Sequence, residues 1–284
     1  DAHGLITMLF DKVDRILIDS CQKLCVISNC AVGTENIDIP YATKKRIFVT
    51  NTPGVLTETT ADLAWALILS VSRRVVEGDT FLRDGKFIGW RPSLLLGVNV
   101  YGKTLGIYGM GRIGTAVSRR AKGFDMQVIY HNRRRNEEVE REIRAKYVDF
   151  PTLLRESDFL VITAPLNEES QGRFGIEEFR KMKRTAVIVN VGRGQIIKEK
   201  ELAFALKEGI IWGAGFDVYE REPIVEEGLL NLKNAVLIPH LGSATEETRT
   251  KMADIAIENV ILALSGNIPK NLVNPKVLGE NKKS

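Results

Sequence analysis

Histidine is scarce in this chain, with three in 284 residues, and the setting of each narrows what it can do. His3 stands almost at the first residue, His131 sits in the basic run Tyr130 to Arg135, and His240 lies in the stretch Pro239 to Ser243, PHLGS. His240 is the candidate proton donor, because an imidazole titrates near neutrality and can release a proton as charge develops on a reacting oxygen. Glu222, in the YEREP stretch from Tyr219, can hydrogen-bond the other ring nitrogen, fixing its orientation and raising its basicity. Arg193, in the VGRG stretch from Val191, offers a planar fork for a carboxylate and a charge that polarises a carbonyl. Each has a plainer reading: a buried-edge histidine, a helix-starting glutamate, a solvated arginine. Together they favour one catalytic set in which a ketone is reduced and the acid quenches the alkoxide formed by hydride transfer.

A hydride needs a carrier, and the sequence offers a place for one. The apolar run 105–108 leads directly into Gly109-Met-Gly111-Arg-Ile-Gly114 and then into helical spacing, the context in which a glycine triplet binds a dinucleotide. Gly109 serves the tight turn, Gly111 the close approach of a pyrophosphate, and Gly114 the packing of helix on strand. The amides of Arg112 and Ile113 would meet the phosphates at the helix start. About 20 residues on, where a carboxylate would take the ribose hydroxyls of NAD, the chain has Asn132, Arg133 and Arg134 instead. Arginine there suits a 2′-phosphate, so NADP(H) is preferred and NAD(H) possible. The plainer reading is a solvated basic turn.

These residues need a scaffold. Six apolar or β-branched runs, 105–108, 127–130, 159–163, 186–191, 214–218 and 235–238, alternate with helical stretches that include 112–122, 138–146 and 198–207. Such alternation predicts a parallel sheet covered on both faces. Pro165, Arg193, Asp217, Glu222 and His240 all fall just past strand ends, the edge at which such sheets bind ligands. Strands at 24–28 and 47–50 with a helix at 36–45 precede this block, and a long amphipathic helix at 245–264 follows it. The fold expected is α/β: a Rossmann-type doubly wound parallel sheet (54–242) inserted into a smaller flavodoxin-like substrate domain made of 1–53 and 243–284, with a cleft between them. The chain begins at Asp1 and enters an apolar segment at once, so an N-terminal truncation is expected. The stretch 77–103, with Trp90 and Leu94 to Leu96, is too long for an ordinary connection and reads as an arm laid on a second copy.

Composition excludes other classes. With 40 basic and 36 acidic side chains intermixed, there is no stripe for nucleic acid and no polybasic membrane anchor. The longest apolar run, 64–71, is too short to span a bilayer, so a cytoplasmic location is expected. Cysteines at 21, 25 and 30 give neither a disulfide framework nor a zinc spacing, so no metal is expected.

From Gly4 to about Pro275 the chain resembles the D-isomer-specific 2-hydroxyacid dehydrogenases, in particular their glyoxylate/hydroxypyruvate reductase branch. The motifs are Cys30 to Gly33 with Asn36 to Asp38, the glycine loop, Thr163 to Leu166, NVGRG from Asn190, FDVYEREP from Phe216 and PHLGSAT from Pro239. The resemblance implies Arg193, Glu222 and His240 as the catalytic set, with amides of Val32 and Gly33 also holding the substrate's carboxylate. It further implies Thr60, Pro165, Val191, Asp217 and Gly242 around the nicotinamide, a small 2-oxo or 2-hydroxy acid as substrate, and a homodimer through 77–103. Asp62 departs from the glutamate usual in the family. The rival reading is a dinucleotide-sensing, corepressor-like interaction protein, against which the complete Arg193, Glu222 and His240 set argues.

Overall fold

A computed structural model describes residues 1–279. It divides into two units, Asp1–Leu56 with the segment from Ser243, and Thr57–Gly242. The smaller unit opens with β1 (Gly4–Thr7), α1 (Arg15–Ser20), β2 (Val26–Asn29), α2 (Ile39–Lys44) and β3 (Phe48–Thr50). Its strands form a parallel sheet in the order β1-β2-β3. All four residues of β2 are buried, as expected of a central strand. The helix expected over 36–45 is shorter because Asp38 caps it, its carboxylate accepting the Tyr41 amide at 3.0 Å. Asn36 stays outside, its side-chain amide bonded to the carbonyls of Met8 and Asp11.

The larger unit begins with α3 (Thr57–Ser72) and α4 (Val75–Arg83). Then come β4 (Thr104–Tyr108), α5 (Arg112–Ala121), β5 (Gln127–His131), α6 (Glu137–Ile143), β6 (Lys146–Tyr147), α7 (Phe150–Glu156) and β7 (Phe159–Ile162). It closes with α8 (Ile176–Lys181), β8 (Val187–Asn190), α9 (Glu199–Lys207), β9 (Gly213–Phe216), α10 (Glu227–Leu230) and β10 (Ala235–Leu237). The sheet is parallel throughout, in the order β10-β9-β8-β7-β4-β5-β6. Strands are thus added outward on both sides of the β4/β7 pair, which makes the carboxyl edge of that pair the topological switch point. Alternation of side chains explains the two cores. In β7, Leu160 and Ile162 enter one apolar cluster while Phe159 and Val161 enter the other, across the sheet.

One expectation about the sheet is corrected here. The sheet has seven strands, not six: the helix expected to reach 146 stops at Ile143, Arg144 takes a left-handed backbone (φ 55°), and Lys146–Tyr147 pair with β5. Two residues are too few to show an alternating pattern. Within the stretch 77–103, α4 runs to Arg83. Beyond it no helix or strand forms before β4, and Ile88, Trp90 and Leu96 are 79%, 81% and 60% exposed.

Asp62 in α3 pairs with Arg120 of α5 at 2.7 Å, and the Trp65 indole donates to the Val117 carbonyl of the same helix at 2.9 Å. The chain then returns to the smaller unit as α11 (Glu246–Leu264), capped by Thr245. No helix among the described residues is long and apolar enough to cross a membrane.

Candidate active site

At the switch point β4 turns sharply through Gly109, whose φ of +104° suits glycine. A Cβ there would stand 2.4 Å from the Ala164 nitrogen, so the turn is packed against the end of β7. Gly114 is equally constrained, its Cβ position lying 2.7 Å from the Gly109 carbonyl and 2.9 Å from the Thr163 hydroxyl. Gly111 differs: a Cβ would enter open space. It opens α5 without a side-chain cap, and the first turn carries no acidic residue. The amides of Arg112, Ile113 and Gly114 therefore lack intrahelical partners in a setting that favours an anion. The cradle fits a diphosphate.

Next to it lies the basic turn after β5. Asn132 has its amide engaged by the glycine loop: its Oδ1 accepts the Met110 amide at 2.6 Å and its Nδ2 donates to the Met110 carbonyl at 3.3 Å. Arg133 and Arg134 are exposed and have no partner among the described residues. Arg135 is bound by Glu140.

On the other side of the switch point, β8 delivers Arg193. The buried Asn190 shapes this loop, accepting the Gly192 amide at 3.0 Å and donating to the Arg193 carbonyl at 2.9 Å. Val191 is buried beside it. A Cβ at Gly192 would press on the Ala164 carbonyl at 2.9 Å, next to Pro165, whose own carbonyl accepts the Ser170 hydroxyl. At Gly194 a Cβ would overlap the Tyr219 backbone at 1.9 Å. The loop bearing Arg193 thus lies directly on the one that follows β9.

That second loop carries Asp217 and Glu222. Asp217 takes the Leu241 and Gly242 amides on its two carboxylate oxygens, at 2.5 and 2.8 Å, and its carbonyl takes the His240 amide at 2.9 Å. The Thr60 hydroxyl donates to the Gly242 carbonyl at 3.0 Å. His240 is held with φ of +52°, and its Nδ1 lies 2.9 Å from Glu222 Oε2. The Glu222 Oε1 accepts the Tyr219 amide at 2.9 Å.

Burial would raise the Glu222 carboxyl, but hydrogen bonds from His240 and the Tyr219 amide, with the charges of His240 and Arg193, hold it below the ordinary glutamate range. An ionised carboxylate only accepts, so Nδ1 of His240 carries the proton and Nε2 is the ring nitrogen turned from Glu222. Burial, by contrast, raises Asp217 despite the amides it accepts. Tyr219 is no rival acid: burial and nearby carboxylates raise its phenol, which donates to the Ile238 carbonyl at 2.9 Å.

In the smaller unit, Val32 and Gly33 follow β2. Their carbonyls accept the side-chain amides of Asn51 and Asn29 at 2.8 and 2.7 Å, while their own amides have no partner among the described residues. Sequence reasoning missed Glu199. It is 2% exposed and accepts the amides of Glu220 and Glu226, at 2.5 and 3.2 Å, bracketing Glu222. In the sequence it reads as an ordinary acid in the first turn of a helix, so no signal marked it.

An acid, an orienting carboxylate and a guanidinium gathered beside a diphosphate cradle serve one kind of chemistry, and the larger unit is that of an oxidoreductase using a nicotinamide dinucleotide. Residues 65–242 match the family described as D-isomer specific 2-hydroxyacid dehydrogenase, NAD binding domain. The glyoxylate reductase of Thermococcus litoralis is 51% identical over 282 residues, 98% of this chain and 85% of that one. Among solved structures, a protein from Thermus thermophilus superposes with a TM-score of 0.91 at 42% identity, over 96% of this chain and 86% of that one. The NADPH-dependent glyoxylate/hydroxypyruvate reductase of Sinorhizobium meliloti, solved with NADP and malonate, gives 0.88 at 33% identity, over 96% and 84%. The chain belongs to the D-isomer specific 2-hydroxyacid dehydrogenases, within their glyoxylate reductase branch. It is an NAD(P)-dependent enzyme of that family, and the sensor reading finds no support among these relatives.

Proposed function

We propose that the enzyme reduces glyoxylate or hydroxypyruvate to the D-2-hydroxy acid, with NADPH preferred over NADH. The observation that carries this reading is the 2.9 Å contact between His240 Nδ1 and Glu222, on loops locked against that of Arg193. Arg193 holds the substrate's carboxylate and draws charge onto its carbonyl oxygen. The bound dinucleotide supplies the hydride. His240 gives the Nε2 proton to the oxygen as alkoxide charge develops, and Glu222 stabilises the ring while it is an imidazolium. Val32 and Gly33 are assigned amide contacts to the substrate's carboxylate.

For the cofactor, Gly109, Gly111, Arg112, Ile113 and Gly114 form the diphosphate cradle, and Asn132 clasps its loop. Arg133 and Arg134 take the 2′-phosphate, while Thr60, Pro165, Val191, Asp217 and Gly242 border the nicotinamide. The preference for NADPH is supported by the absence of a carboxylate at 132–134 and by the exposure of both arginines. A homodimer through 77–103 is the matching assembly, since a lone chain leaves Trp90 and Leu96 in water. Serine at both positions should shift sedimentation from dimer to monomer.

The direct test adds glyoxylate, then hydroxypyruvate, to the enzyme with NADPH and follows absorbance of the reduced cofactor. Consumption with formation of glycolate or D-glycerate is expected. Tight NADPH binding with no consumption on either acid would overturn the proposal.

A further inference from the structure

We propose that Tyr130, Glu140 and Arg135 form a brace that sets this enzyme's choice between the two dinucleotides, by fixing the turn that presents Arg133 and Arg134. The proposal rests on the reading of those two arginines as ligands of the 2′-phosphate. The brace starts inside the sheet, where the Tyr130 ring is fully buried and stands edge-on to Tyr147, with centroids 5.4 Å apart. Its hydroxyl accepts the Asn136 amide at 2.8 Å and donates to Glu140 Oε1 at 2.6 Å. Glu140, in α6, in turn accepts both arms of Arg135, Nε on Oε1 at 2.7 Å and a terminal nitrogen on Oε2 at 2.6 Å. This is the paired geometry that orients a guanidinium most strongly.

The other end of the turn is also tied. Asn132 is clasped by Met110, and its carbonyl accepts the Tyr147 hydroxyl at 3.2 Å. Of the residues between these ties, Arg133 and Arg134 are the two left to meet a ligand.

The network is durable. Hydrogen bonds from Arg135 and then Tyr130 hold the Glu140 carboxyl at about 2, and burial with the Glu140 bond pushes the Tyr130 phenol up to about 12. Acceptor and donor therefore keep their roles at any working pH. Glu140 joins Glu137 and Glu138 as carboxylates close to this turn that could repel a phosphate, and Arg135 neutralises Glu140. A turn shaped before the ligand arrives avoids the ordering cost that a loose arginine loop would add on binding. NADH has no 2′-phosphate and gains nothing from that order.

The experiment is calorimetric titration of the full chain with NADPH and with NADH, without substrate, for the parent, Tyr130→Phe, Glu140→Ala and the pair Arg133→Ser with Arg134→Ser. Tyr130→Phe keeps the ring in the core and removes one hydroxyl. It and Glu140→Ala should each weaken NADPH about three- to tenfold, the worth of one or two hydrogen bonds, and NADH by less than about twofold. Equal weakening of both cofactors would make the brace merely structural and overturn the proposal. If the serine pair lowers NADPH affinity while the brace variants leave the ratio of affinities at the parent's value, the brace proposal falls and the phosphate reading stands. If the serine pair leaves that ratio unchanged, both fall. Tighter NADPH binding by Glu140→Ala would mean that Arg135 is itself a phosphate ligand held back by Glu140, and that too overturns the brace.

Discussion

Two loop clusters on the same sheet edge are held in opposite ways. Around Arg193, Glu222 and His240 the main chain itself is held, by backbone packing and by buried carboxylates that accept its amides. Gly194 has no room for a Cβ beside Tyr219, Asp217 spends both oxygens on amides of 241 and 242, and the buried Glu199 takes two amides on either side of Glu222. In the turn from Asn132 to Asn136 the restraint comes from individual side-chain groups, the buried Tyr130 hydroxyl that takes the Asn136 amide and an ion pair on which Arg135 is 59% exposed. The first cluster is rigid by close packing. The second rests on a hydroxyl and an ion pair that substitution can remove while the Tyr130 ring stays in the core, so on the proposed roles chemistry is the harder of the two to alter and cofactor choice the easier.

The contrast is sharpest at His240. Changing His240→Gln should lower kcat/KM about a hundred- to ten-thousandfold, the range for losing a general acid, while NADPH affinity stays near the parent value. Stopped-flow kinetics beside a binding titration reads both, and turnover at the parent rate would remove His240 from the mechanism. Glu222→Gln should cost less, about ten- to a hundredfold, because the imidazole itself remains, although an amide can accept with one oxygen only and gives up either the His240 or the Tyr219 bond. The same pair has a pH signature in melting temperature. Because the folded Glu222 carboxyl lies below its ordinary value of about 4.3, its contribution to stability is fully present above that pH and is lost as pH falls through the lower folded value. The parent's advantage over Glu222→Gln should therefore be constant near neutrality and shrink in acid. Smallest of all is the response to salt. Raising it from about 0.05 to 0.5 M should weaken NADPH a few fold more than NADH, since the exposed Arg133 and Arg134 are screened. Equal slopes for the two cofactors would erase the contrast between the two clusters.

Much of this was readable in the residues, because parallel strands put their last residues on one edge. Once the runs ending near 108, 162, 190, 216 and 237 are taken as strands, Gly109, Arg193, Asp217 and His240 must meet there. The glycines were legible for the same reason, each having a distinct steric task. What the sequence hid is what depends on folded neighbours. The two-residue β6 is too short to carry a period. In α3 the buried residues form one stripe, but Leu63, Ala66 and Leu69 are apolar and lie off it, so the apolar positions alone mark no single face. The clasp of Asn132 on Met110 and the role of Glu199 depend on backbone groups, and amides leave no mark in a sequence.

The backbone of His240 matters beyond turnover. Its left-handed conformation is one that glycine accepts freely and that side chains resist, at a cost on the order of 1 kcal/mol. Heat resistance and reductase activity therefore make opposed demands at this position. A library screened only for survival on heating would tend to enrich His240→Gly, and its hardiest members would include chains that no longer reduce anything.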